Sequence, residues 1–142
     1  AAAASLSNEN AEMIAEAIMT TDSHSKYFEK EYKGVRIFGM AKGAGMLAPS
    51  LATMLVVIAT DAVVDISASK ILKEVTNETF DRIDSDGCMS TNDTVTFMAS
   101  GASGIALSQQ ELKTLMLDCA SYLAHQLISD AEGHTKIVEI AF

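Results

Sequence analysis

Lys42-Gly-Ala-Gly-Met-Leu-Ala-Pro-Ser-Leu-Ala-Thr53-Met-Leu-Val-Val-Ile-Ala-Thr-Asp61 is the stretch on which the reading of the whole chain turns. Its first half is built of small residues and glycines and is closed by Pro49, the single proline of the sequence. Its second half, from Thr53, is a continuous apolar run with Val56, Val57 and Ile58 at its centre. Backbone of the first kind predicts a loop. A β-branched run of the second kind predicts a strand buried on both faces.

Working outward, Tyr27–Tyr32 and Val35–Gly39 read as two extended runs, with Lys33-Gly34 between them as a hairpin turn. Residues 8 to 19 read as a helix behind a polar Ser7-Asn8 start, with Ala11, Ile14, Ala17 and Ile18 at helical spacing. Ala1 to Ala4 is low-complexity and is left out of the fold. Downstream, Ser67 to Asp84 predicts a helix with Ile71, Val75, Thr79 and Ile83 in line. Asp84 to Asp93 is a polar loop, and Thr94–Ser100 is a further strand. Ser108-Gln-Gln-Glu111 is a capping box. It opens a helix over 109–129 with Leu112, Leu115, Met116, Cys119, Leu123 and Leu127 as its stripe. Thr135–Phe142 reads as a last strand. The order α-β-β-β-α-β-α-β, without repeats or linkers, predicts one α+β domain with a mixed sheet and packed helices. The helical start and the apolar end make it read as a partial domain.

With 142 residues, 49% of them hydrophobic, the chain can bury a sizeable core. A net charge of −9 with scattered basic residues argues against a phosphate-binding face, so no nucleic-acid partner is expected. No run reaches the ~18 apolar residues of a membrane span. The start lacks the basic segment of a secretion signal. Cys88 and Cys119 lie 31 positions apart in no metal-ligand pattern with His24, His125 or His134, and read as free thiols of a reducing cytoplasm.

Two motifs tempt and fail. Gly43-Ala-Gly45-Met-Leu-Ala48 matches a dinucleotide fingerprint, with Asp65 about 20 residues on. That fold needs a helix directly after the glycines, whereas Pro49 and the run from Val56 predict a loop and a strand. Asp84-Ser-Asp86-Gly87 resembles part of a calcium loop. With Gly87 at the sixth position the first ligand would be Arg82 and the twelfth Asp93, a poor cation site. No metal is expected. The eight methionines read as core filler. The histidines lack a recognisable nucleophile motif.

Thr53 carries the strongest chemical signal. It stands between a small-residue loop, whose amides can approach an oxyanion, and a rigid strand. A threonine hydroxyl is a weak nucleophile without a base. Cutting the chain before it supplies one, the freed α-amine. Ala52 is small enough to let the hydroxyl reach its carbonyl carbon.

Lys42 to Leu55 followed by Thr60-Asp61-Ala62 resembles the processing motif of the ornithine acetyltransferase family, the bifunctional glutamate N-acetyltransferases of arginine biosynthesis. Ala17-Ile-Met-Thr-Thr-Asp22, Thr79-Phe-Asp-Arg-Ile-Asp84 through Asp86-Gly87 and Ser90-Thr-Asn-Asp-Thr94, and Asp130-Ala-Glu-Gly-His-Thr-Lys136 resemble the same family in the same order. The resemblance covers residues 8 to 142.

It implies a fold similar to the αββα sandwich of self-processing N-terminal-nucleophile enzymes. It implies self-cleavage at Ala52-Thr53, so that 1–52 ends one chain and 53–142 begins the other. Thr53 would then carry acetyl from N-acetylornithine to glutamate by a ping-pong route. Thr20, Lys42 and Glu132 fall on the family's substrate contacts. No cofactor is implied, acetyl-CoA being a co-substrate of some members. The two pieces stay together, as a rule in a heterotetramer. The family's oxyanion Thr-Gly pair should lie before residue 1 and a further Asn/Thr site after Phe142, so the 142 residues alone are expected to be inactive. The competing functions are a threonine amidase or aminopeptidase that passes the acyl group to water, and a non-catalytic fragment.

Overall fold

The computed structural model describes residues 11–44, 54–65, 67–85 and 92–141. Its frame is a hairpin. Strand β1 (Lys26–Tyr32) turns at Lys33-Gly34 into β2 (Val35–Lys42), and both turn residues have positive φ, 51° and 77°. A two-residue turn of that hand follows the natural twist of paired strands. β2 runs past the expected Gly39 end because its ladder continues to Lys42, opposite Leu55. Strand β3 (Leu55–Thr60) is antiparallel to β2, and β4 (Thr94–Ala99) is parallel to β3, giving the order β1-β2-β3-β4. The parallel step needs a crossover, and α2 (Ala68–Glu78) lies in it.

The long helix α3 (Gln109–Ile128) starts at the expected capping box: Glu111 N–H donates to Ser108 Oγ, and Ser108 N–H donates to the Glu111 carboxylate. All six residues of its expected stripe are buried. They pack with α2 over Val35, Ile37, Ala41, Val56 and Ile58 to form the core. Gly39 permits this contact, because a Cβ there would overlap Cys119 Sγ and lie 2.9 Å from Leu123 Cδ1. The chain is thus a mixed α+β structure with a four-stranded mixed sheet and packed helices, as expected. The described residues hold one sheet of the sandwich that the resemblance implies.

Four expectations need correction. β3 is buried on the helix side only; Val57 and Ala59 on the other face are half-buried and Leu55 is exposed. That face belongs to the opposite side of the sheet from α2 and α3. The first helix, α1, covers Ala11–Ala17, and its fully buried residue is Ala15, whereas Ile14 on the expected stripe is 45% exposed. Residues 8–10 of the expected helix lie outside the described residues; the described part rests on β1 and β2 through a narrow contact. The helix expected to reach Asp84 stops at Glu78. There Thr79 leaves helical geometry, its hydroxyl donates back to the Val75 carbonyl, and a 3₁₀ turn (Phe80–Arg82) tucks Phe80 into the core. Finally, 135–141 forms no strand. A strand needs a ladder partner for its amides, and none of the described strands pairs with this segment.

Candidate functional site

Lys26 opens β1, yet it is only 1% exposed. A buried ammonium must find compensating charge. It donates to Asp22 Oδ1 at 2.6 Å and to Asp130 Oδ2 at 2.5 Å. Asp22 lies in the loop before β1, and Asp130 just beyond the C-terminal end of α3. Each aspartate also accepts main-chain amides. Asp22 takes Thr20 N–H at 3.1 Å and Gly43 N–H at 2.7 Å. Asp130 takes Ser23 N–H at 3.0 Å as well as the Ser23 hydroxyl. Burial pushes both carboxyls up. The hydrogen bonds from Lys26 and these neighbours outweigh it, so both pKa values lie below the ordinary aspartate value.

The same network gathers three of the residues that the sequence singled out. Thr20 is bound through its amide to Asp22. Lys42 precedes Gly43, whose amide meets the same carboxylate. Glu132 follows Asp130 by two, and its amide donates to the Ala44 carbonyl at 2.5 Å. The backbones of Thr20, Lys42 and Glu132 therefore meet at one corner, where β2 ends. Among the described residues neither the Thr20 hydroxyl, the Lys42 ammonium nor the Glu132 carboxylate makes a hydrogen bond or ion pair. Thr20 and Glu132 are exposed, while Lys42 is 6% exposed.

Thr53 and Ala52 lie outside the described residues. The residue after them does not. Met54 N–H donates to Asp93 Oδ1 at 2.9 Å, and its carbonyl accepts from Thr94 N–H at 3.0 Å. A Cβ on Gly43 would be 3.6 Å from Met54 Cα, so the Lys42-Gly43 end of β2 lies against the residue next to Thr53. Gly43 adopts φ 144°, a conformation suited to glycine.

Asp93 thus anchors Met54. The rest of the supposed calcium loop, 86–91, lies outside the described residues, as do Gly45 to Ala48 of the glycine motif. β3 follows β2 as an antiparallel neighbour, which rules out a dinucleotide βαβ unit there. Among the described residues no group of three His, Cys, Asp or Glu could hold a metal, and no helix is long and apolar enough to cross a membrane.

His24 has company that its sequence context did not announce. Its Nδ1 is 3.1 Å from Ser23 Oγ and 3.7 Å from Asp130 Oδ1, and Nε2 is 3.0 Å from Gln126 Oε1. Ser23 Oγ donates straight to Asp130, so this trio holds a loop and does not activate a nucleophile. The Asp22–Lys26–Asp130 network itself escaped the sequence reading. Asp22 and Asp130 stand inside recognised motifs, but Lys26 lies just before the expected run Tyr27–Tyr32 and carries no assignment.

An α+β frame that gathers Thr20, Lys42 and Glu132 from two loops and a strand end at one end of the sheet defines a site built on a rigid scaffold. The chain belongs to the ArgJ family, whose model matches residues 1–142. It is 53% identical over 127 residues to the arginine biosynthesis bifunctional protein ArgJ of Thermobifida fusca, covering 89% of this chain and 33% of that protein. The protein of that name from Streptomyces avermitilis is 50% identical over 140 residues, with 98% and 37% covered. That from Nitratidesulfovibrio vulgaris is 41% identical over 146 residues, with 97% and 37% covered. The chain spans about a third of the length of these relatives.

Proposed function

We propose that the full-length protein is a glutamate N-acetyltransferase of arginine biosynthesis, with Thr53 as its nucleophile. The relatives' printed name, arginine biosynthesis bifunctional protein, supports the pathway. The observation that carries the reading is the convergence of Thr20, Lys42 and Glu132, their backbones clamped and their side chains without a partner among the described residues, beside the residue that follows Thr53.

The chemistry runs in two stages. In the first, the Thr53 hydroxyl attacks the Ala52 carbonyl carbon. The peptide C–N bond breaks, the α-amine of Thr53 is released, and water resolves the ester. In the second, the free amine takes the hydroxyl proton as Thr53 attacks the acetyl carbon of N-acetylornithine. Ornithine leaves with that proton. The amine of glutamate then attacks the acetyl-threonine ester and regenerates the enzyme. Lys42 meets the substrate α-carboxylate as a point charge. Glu132 accepts from the ornithine ammonium, and Thr20 supplies a hydrogen bond. No cofactor takes part, and acetyl-CoA is an alternative acyl donor. The pieces ending at Ala52 and beginning at Thr53 remain associated in a cytoplasmic heterotetramer, joined by the rest of the precursor.

Intact mass of the full-length protein tests the first stage: two pieces divided before Thr53 are expected. Thr53→Ala should abolish both cleavage and transfer, and Thr53→Ser should keep part of each. A Thr53→Ala protein that is still cut after Ala52 would overturn the assignment. Free acetate released without glutamate would show an amidase instead.

A further inference from the structure

Lys26 contacts none of the three residues assigned to substrate, yet it stands at the junction of all three of their loops. Its ammonium donates to Asp22 at 2.6 Å and Asp130 at 2.5 Å, and lies 3.5 Å from the His24 carbonyl. Asp22 and Lys26 are fully covered and Asp130 nearly so. Cohesion alone does not call for a charge here, since apolar replacements of buried ionic groups are often as stable. What a charge adds is placement. Each carboxylate that Lys26 holds turns its remaining acceptor capacity to main-chain amides: Asp22 to Thr20 in its own loop and to Gly43 at the end of β2, Asp130 to Ser23 in the loop before β1.

We infer that Lys26 is a positioning residue for substrate binding, a single buried cation that sets the Thr20 loop, the Lys42-Gly43 strand end and the Asp130–Glu132 loop in register with one another. The inference rests on the proposed substrate contacts of Thr20, Lys42 and Glu132. The loop before β1, the end of β2 and the segment after α3 are far apart in sequence; Asp22 ties the first to Gly43, Asp130 ties the third to Ser23, Glu132 meets Ala44, and the Lys26 ammonium holds the two carboxylates that make the first two of these ties. Without the charge, Asp22 and Asp130 would face each other as unneutralised anions and separate, taking the amides they hold with them.

The test is steady-state kinetics of the full-length enzyme with Lys26→Met and Lys26→Arg, varying N-acetylornithine and glutamate separately. Misplaced contacts weaken binding, so Lys26→Met should raise KM for both substrates about tenfold or more, with kcat changed much less. Lys26→Arg should recover most of the loss. KM does not depend on the fraction of active protein, so a partly folded preparation still reports. If Lys26→Met yields no folded protein, the charge-free variant Asp22→Asn/Lys26→Met/Asp130→Asn takes its place with the same expectation. Amide exchange at Thr20, Ser23 and Gly43 should quicken in either. Parental KM values in the folded variant would overturn the inference. Raised KM in Thr20→Ala, Lys42→Ala and Glu132→Gln beside parental KM in Lys26→Met would sink this inference alone. Parental KM in those three as well would sink the substrate assignment beneath it.

Discussion

The Glu132 amide donates to the Ala44 carbonyl over 2.5 Å, so the main chain is fixed at Glu132 while its carboxylate makes no hydrogen bond or ion pair among the described residues. In the proposed reaction that carboxylate meets the side-chain ammonium of N-acetylornithine, which glutamate lacks. Glu132→Gln keeps the shape and removes the charge. A hydrogen bond between charged groups contributes about 1.5–3 kcal/mol, so KM for N-acetylornithine should rise about tenfold or more. KM for glutamate should move less. Initial-rate measurements on the full-length enzyme decide this, and equal rises for both substrates would count against the assigned role.

At Gly39, β2 passes close to α3. A methyl group there would run into Cys119 Sγ and Leu123 Cδ1. Both partners are fully buried and cannot swing aside into solvent. Gly39→Ala should therefore cost about 1–3 kcal/mol of stability, the usual range for an overpacked core. Urea unfolding of the full-length protein measures it. Adding Cys119→Ala opens room for the methyl, so the double variant should be more stable than the sum of the two single losses. Strict additivity would place the strain elsewhere.

The parts of the fold that sequence made legible are those with a local cause. The positive-φ turn at Lys33-Gly34, the capping box at Ser108 and Glu111 and the stripe of α3 each follow from neighbours within a few positions. Apart from the end of α2 at Thr79, the misreadings are tertiary. Ile14 sits on a proper helical stripe, but α1 meets the sheet through Ala15. Residues 135–141 have the composition of a strand, but a strand exists only as half of a pair. The site divides in the same way. Thr20, Lys42 and Glu132 were visible through motif resemblance, whereas Lys26 was not, because its burial is created by Asp22 four residues before it and Asp130 at the other end of the chain.

Cys119 should be chemically silent. Burial, reinforced by the neighbouring Asp118 charge, pushes its thiol up to about 12, so almost no thiolate exists near neutral pH. In a Cys88→Ser background, a thiol-specific disulfide reagent at pH 8 should label native protein only as fast as it unfolds. Added urea should then expose one thiol at once. Rapid labelling of the native protein would mean that α3 does not stay packed on β2.

Acid should unpick the Asp22–Lys26–Asp130 network before the rest of the core. Burial raises both carboxyls, but the bonds from Lys26 and the loop amides win, and both native pKa values fall below the ordinary value. At a given acid pH the native state then binds fewer of these protons than the unfolded chain. Their stabilisation is whole above the unfolded aspartate pKa of about 3.9, and drains away as pH falls from there through the depressed native values. Glu111 contributes in an overlapping window, since its native pKa is about 2 against an ordinary 4.5, held down first by Lys33 and then by the capping-box hydroxyl and amide of Ser108. Asp65, held down by Ser67, and Glu74, held down by Lys113, share that direction, so an Asp65→Asn/Glu74→Gln/Glu111→Gln background removes the overlap. In it, the urea midpoint should stay nearly level from neutral pH down to about pH 5 and fall steeply below about pH 4. The variant Asp22→Asn/Lys26→Met/Asp130→Asn should lose much of that acid slope, since neither position can then take up a proton. A slope as steep as the parent's would show that the decisive protons bind at other carboxylates.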